Sequence, residues 1–117
     1  MIQVRITYRD ETITHIDVTG HSGYEDSGKD IVCAGVSVLT IALINGMIEV
    51  LNFPENEVVE KYEPGETRIC VPQLTAVDEM ERKGKLLVLL QTYLINIRLI
   101  TETYSDFVNI IEVDETC

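Results

Sequence analysis

Residues 20–37 read GHSGYEDSGKDIVCAGVS. His21 opens a stretch rich in glycine and serine, and Cys33 follows twelve positions later, where a long apolar run begins. A thiolate is a nucleophile, whereas a thiol is a poor one. An imidazole beside it holds the ion pair and later protonates a leaving amine. One cysteine and one histidine therefore suffice for covalent acyl transfer, provided that the fold brings them together. From spacing alone two readings of His21 stay open: the partner of the thiol, or a solvated loop residue.

The flanking elements decide whether they can meet. Ile2, Val4, Ile6 and Tyr8 alternate with polar residues, and so do Thr14, Ile16 and Val18. Period two with β-branched residues predicts strands, here a hairpin around Asp10 and Glu11 that ends at Gly20. Residues 21–29 form a loop, with Ser22, Gly23, Ser27 and Gly28 giving it a flexible composition. A helix is predicted from Asp30, its N-cap, to about Asn52, before Pro54. Its core stripe is Val32, Val36, Leu39, Leu43, Met47 and Val50. At about 100° per residue, Cys33 lies off that stripe, on a second face with Ser37, Ile44, Ile48 and Leu51. The thiol is thus placed in the first turn, where free backbone N–H groups and the helix dipole stabilise a thiolate. Asp30 caps the helix or orients His21, and Ser37 is a surface serine or supports the thiolate.

The rest of the chain completes the architecture. Val58, Val59 and Tyr62 predict a third strand, Pro64-Gly65 a turn, and residues 67–71 a fourth strand. Residues 72–77 are ambiguous. Asp78 with Glu81 has the spacing of a helix N-terminus, and the helix runs to about Tyr104 with Leu87, Leu90, Leu94 and Ile97 as its buried row. Residues 107–113 close the fold as a strand. The order β-β-α-β-β-α-β predicts one α+β domain: a mostly antiparallel sheet of about five strands with two helices.

Composition excludes several function classes. The 117 residues carry nine basic and twenty acidic side chains, a net charge of −11. A nucleic-acid binder carries a basic patch, so direct binding to nucleic acid is not expected. The acidic surface keeps the protein soluble or suits a basic partner. No run of about eighteen uninterrupted apolar residues is present, which predicts no membrane span. MIQVRITYRD lacks the basic start and apolar block of a signal peptide, so a cytoplasmic location is expected. The three cysteines, Cys33, Cys70 and Cys117, have no paired metal-ligand spacing, and neither a metal nor a cofactor is expected. His15 reads as a surface strand residue and Cys70 as one packed in or near the sheet. No phosphate-loop pattern is present.

The eighteen-residue stretch resembles the Prp family of bacterial ribosomal-processing cysteine proteases. The family pattern is Gly-His at a strand end, a glycine-bearing loop, then D-I-V-C-A-[AG]-x-S. It matches Gly20-His21 and residues 30–37, with Ser22 where alanine is common. The resemblance implies that Cys33 is the nucleophile and His21 its general base and acid. Asp30, Ser37 and Gly20 form the supporting set, and Ser22, Gly23 and Gly28 lie in a loop over the active site. It also implies a homodimer with the long helix near the interface. The implied reaction removes a short N-terminal extension from large-subunit ribosomal protein twenty-seven, after a hydrophobic, aromatic segment. The partner is thus a ribosomal protein precursor with a basic N-terminal peptide. A second apolar face on the first helix, Ile41, Ile44, Ile48 and Leu51, fits a dimer. The competing readings are a non-enzymatic ribosome-associated peptide-binding adaptor and a thiol-redox protein, the latter lacking a nearby resolving cysteine.

Overall fold

A computed structural model describes residues 1–20 and 27–115, with the side chains of residues 27–30 outside the description. Its strands are β1 (Ile2–Arg9), β2 (Thr12–Thr19), β3 (Val59–Glu63), β4 (Glu66–Cys70) and β5 (Val108–Asp114). Its helices are α1 (Ser27–Asn45), the short α2 (Glu55–Val58) and α3 (Met80–Thr103). The sheet order is β3-β4-β2-β1-β5, antiparallel except for the β1–β5 pair. The α+β expectation and the mostly antiparallel sheet are both observed.

Local chemistry explains the turns. Asp10 and Glu11 both have positive φ, 51° and 65°, as a tight hairpin joining right-twisted strands requires. Pro64 precedes Gly65, whose φ of 79° suits the third position of a type II turn. Ile2, Val4 and Ile6 of β1, Ile16 of β2, Ile69 of β4 and Val108 of β5 are all buried on one face. Burying each such side chain contributes about 1.5–3 kcal/mol. Between Thr7 and Tyr8 the β1–β2 register shifts, so that Tyr8 faces Ile13 and Thr14 is the extra residue. Ile13 rather than Thr14 therefore enters the core.

The helices cover that face, and their bounds and turns depart from the sequence reading in four places. First, α1 begins at Ser27, not Asp30. Gly28 thus belongs to the helix and not to the loop, Asp30 does not occupy an N-cap position, and Cys33 falls in the second turn. Second, residues Gly46–Val50 widen into a π-helical turn in which the Leu51 N–H bonds the Gly46 carbonyl at 3.1 Å. The extra residue in that turn rotates Val50 out to 68 % exposure and Leu51 into the core. Third, α2 takes Val58 out of the predicted strand. Fourth, α3 is entered through a 3-10 turn, Val77–Glu79, and neither turn nor helix has a side-chain cap, so Asp78 does not cap it.

The buried row of α3 is Leu86, Leu90, Tyr93, Leu94 and Ile97, while Leu87 is 45 % exposed. Rows starting at 86 and 87 both fit the helical period; Tyr93 decides between them, because its hydroxyl meets Thr40 of α1. Ile31–Val50 and Val77–Thr103 are apolar and long enough to cross a bilayer by length and composition. Their inward residues nonetheless supply the core that covers the sheet.

The link between α1 and α3 has a defined direction. Thr40 Oγ1 donates to the Val36 carbonyl at 2.8 Å, so it accepts from the Tyr93 hydroxyl at 3.0 Å. Tyr93→Phe leaves Thr40 satisfied and should cost about 1 kcal/mol, whereas Thr40→Val strands a buried hydroxyl and should cost about 1–3 kcal/mol. Urea unfolding of the two variants measures that order. Burial pushes the Tyr93 phenol up to about 12. The unfolded chain loses this proton first, so the contribution is whole below pH of about 10 and is lost as pH rises towards 12. Tyr93→Phe should flatten that alkaline decline.

Candidate active site

The site forms where the ends of three elements meet. Val32 and Val36 of α1 are buried in the core, and Cys33 is half-buried against it. A cleft of about 280 Å³ opens at Cys33, with Ser37, Thr40 and Ile41 from α1 and Ile2, Val18 and Gly20 from the β1–β2 hairpin. Its other wall is the β3–β4 turn, Tyr62 through Thr67. That turn was not singled out from sequence as part of a site, although its Pro-Gly pair was legible as a turn.

Gly20 is the hinge of this arrangement. Its N–H donates to the Gly65 carbonyl at 3.0 Å, tying the exit of β2 to the cleft wall. Its φ is +101°, and an added Cβ would lie 2.2 Å from the Met1 carbonyl oxygen. Only glycine fits a backbone this close to another backbone. Gly35, one position where the sequence pattern allows either glycine or alanine, is different: a Cβ there would meet Ile100 Cδ1 at an ordinary 3.6 Å.

Of the sequence-derived site residues, the structure brings Cys33, Ser37 and Gly20 to one cleft. Ser37 is exposed, one turn beyond Cys33. His21, Ser22 and Gly23 lie outside the described residues, as does Cys117. Gly28 and Asp30 are described only as backbone in the first turn of α1. Two glutamates, Glu63 and Glu66, stand on the cleft wall. Lys61 Nζ lies 3.0 Å from Glu66 and 3.9 Å from Glu63, and its hydrogen bond to Glu66 raises its pKa.

Cys70 has a different setting. Burial, then the nearby Glu60 carboxylate, push its thiol up from the ordinary range. It stands opposite His15 in the β2–β4 ladder and takes no part in the cleft.

A half-exposed thiol at the mouth of a cleft, beside a strand end, is an arrangement that a cysteine peptidase can use. Family comparison agrees: residues 1–109 match the model of cysteine protease Prp, and the chain belongs to that family. The ribosomal processing cysteine protease Prp of Staphylococcus aureus strain Mu50 is 30 % identical over 113 residues, covering 91 % of this chain and 93 % of that protein. Its Bacillus subtilis counterpart is 35 % identical over 54 residues, 45 % of this chain and 48 % of that one. Among solved structures, the essential Prp of S. aureus with a covalently linked product peptide superposes with a TM-score of 0.76 at 25 % identity, covering 96 % of this chain and 99 % of that one. The same protease with a substrate peptide gives 0.74 at 27 %, again covering 96 % and 99 %. The protein is a cysteine protease, which sets aside the adaptor and redox readings.

Two outcomes follow from this geometry. Gly20→Ala should lower stability by about 1–3 kcal/mol through backbone strain and should lower kcat/KM through displacement of the cleft wall. Thermal melts and peptide assays check both. Near neutral pH, iodoacetamide followed by peptide mapping should label Cys33 well before Cys70, since the latter is less often a thiolate.

Proposed function

We propose that the protein is an endopeptidase that removes a short N-terminal extension from the precursor of large-subunit ribosomal protein twenty-seven, cutting after a hydrophobic, aromatic segment. The observation that carries this reading is the half-exposed Cys33 at a cleft with apolar Ile2, Val18 and Ile41 on its walls. The relatives named as ribosomal processing proteases, one with a linked product peptide, support it. In this reading the enzyme works in the cytoplasm, where its substrate is made.

Cys33 is the nucleophile and His21 the general base and acid. The thiolate adds to the scissile carbonyl carbon, and the C–N bond breaks as the imidazolium protonates the leaving amine. The resulting thioester is hydrolysed by water, which gives a proton to the imidazole and returns the free thiol. Gly20 sets where the segment carrying His21 leaves the sheet. Ser37 and Asp30 are supporting residues, and the segment with Ser22, Gly23 and Gly28 contacts the substrate. The acidic Glu63 and Glu66 suit the basic residues of such a peptide.

Incubation with the ribosomal protein precursor, read by mass spectrometry, tests the reading. One new N-terminus after the aromatic segment is expected. Cys33→Ser should bind the peptide and not cut it, and His21→Ala should lose cleavage by at least about 100-fold, the scale of general acid–base catalysis. Cleavage by His21→Ala at the native rate would overturn the pairing.

The enzyme is further proposed to be a homodimer, on a surface that differs from the one read in the sequence. Of the second face read in the sequence, Ile44 and Leu51 are buried within one chain while Ile41 stays 39 % exposed, which weakens that argument. The outer faces of α1 and α3 carry the exposed apolar residues instead: Ile31 and Val38 on one, Val88, Ile95 and Leu99 on the other, each 59–65 % exposed. Exposed apolar patches of this kind mark protein interfaces. Sedimentation at micromolar concentration should give twice the 13.2 kDa chain mass, and Ile95→Lys with Leu99→Lys should return the monomer.

A further inference from the structure

On the face of the sheet away from the helices, three strands converge donor side chains that no sequence spacing joins. His15 of β2 is the register partner of Cys70 of β4, and Glu60 comes from β3. A ring nitrogen, the sulfur and a carboxylate oxygen all lie within 4.8 Å of one another. Two register shifts produce this: the β1–β2 ladder passes over Thr14 and the β3–β4 ladder passes over Glu60. An extra residue in one strand re-aims the side chains beside it.

The hydrogen bonds fix which atoms face inward. Thr14 Oγ1 donates to the Thr7 carbonyl at 3.3 Å, so at 3.2 Å it accepts from His15 Nδ1. With the proton on Nδ1, the Nε2 of a neutral imidazole is a bare lone pair. It lies 3.5 Å from Glu60 Oε1. Arg68 Nε donates to the other oxygen, Oε2, at 2.7 Å, and the Cys70 thiol also reaches the Glu60 carboxylate. Two acceptors and a sulfur therefore lie close enough together to share one cation.

We propose that His15 Nε2, Glu60 Oε1 and Cys70 Sγ bind a thiophilic divalent cation of the zinc class, with water as the fourth ligand. Bond lengths of about 2.0–2.3 Å set tetrahedral ligand atoms about 3.3–3.8 Å apart. The 3.5 Å between Nε2 and Oε1 already lies in that range, and all three ligand atoms lie within 4.8 Å of one another. Thr14 and Arg68 hold the ligating imidazole and carboxylate as outer hydrogen-bond partners do at zinc sites. The ion ties β2 to the β3–β4 hairpin, whose Pro64-Gly65 turn walls the cleft. This site is separate from Cys33 and does not depend on the substrate proposed above. Its rival is a proton on Nε2, which would satisfy the His15–Glu60 pair without the sulfur.

The test uses the full chain with Cys33→Ser and Cys117→Ser, which leaves Cys70 as the single thiol. Cobalt(II) titration should give a near-ultraviolet thiolate-to-cobalt charge-transfer band saturating at one ion per chain. Zinc should displace the cobalt and raise the melting temperature. Adding His15→Gln or Cys70→Ala should abolish the band, with an unchanged circular dichroism spectrum and metal-free melting temperature as the control for folding. Thr14→Val should weaken binding by about 10–100-fold, as loss of an outer partner does. No charge-transfer band in the parent, or equal affinity after His15→Gln, would overturn the proposal in favour of the proton.

Discussion

The burial of Val32 and Val36 against the sheet is the constraint on which the site depends. Both are buried, and each helical residue advances the face by about 100°. Cys33, one step past Val32, can only lie at the boundary between core and solvent. Ser37, one turn on, inherits the same boundary on its exposed side. A rotation of α1 by one residue would sink the thiol or turn it away from the cleft. The hydroxyl pair of Thr40 and Tyr93 resists such rotation. Close approach of the helices adds to it, for a Cβ at Gly46 would stand 3.0 Å from a Leu89 methyl.

Much of this was legible in the sequence, for identifiable reasons. Alternation of Ile2, Val4 and Ile6 needs only local sterics, and the strand followed. The pattern from Gly20 to Ser37 marked the cysteine, and the cleft lies there. Features set by long-range packing were not legible. In the α3 row Leu90, Leu94 and Ile97 are buried as expected and Leu87 is not, because the period alone does not weigh Tyr93 against Leu87. Val50 was misplaced because nothing local announces a π turn; the widening shows only where Leu51 reaches back to Gly46. The dimer argument weakened in the same way, since Ile44 and Leu51, though not Ile41, find cover within their own chain. The start of α1 was set too late because Asp30 looks like a cap, and that choice put Cys33 a turn too early.

The sheet divides the molecule by chemistry. One face is aliphatic and holds the helices. The other carries Asp17, Arg68 and Glu60, joined by Arg68 contacts of 3.5 Å and 2.7 Å. Charge pairs this exposed contribute little individually, on the order of 0.2–1 kcal/mol. Their value lies in placing atoms: Arg68 occupies one oxygen of Glu60 and so orients the other. No ligand spacing along the chain marks this cluster, because His15, Glu60 and Cys70 meet only through the register of three strands.

The parallel pairing of β1 with β5 has a consequence for the integrity of the cleft. Ile2 sits opposite Val108, and its N–H bonds the Phe107 carbonyl at 2.8 Å. Ile2 is also a wall of the cleft. A contact between residues this far apart in the chain forms late and slowly. Without β5, β1 would be held on one side only, by β2, and would be an edge strand with open backbone groups. The cleft wall at Ile2 thus rests on a pairing between segments far apart in the chain, so loosening β5 would loosen the pocket beside Cys33.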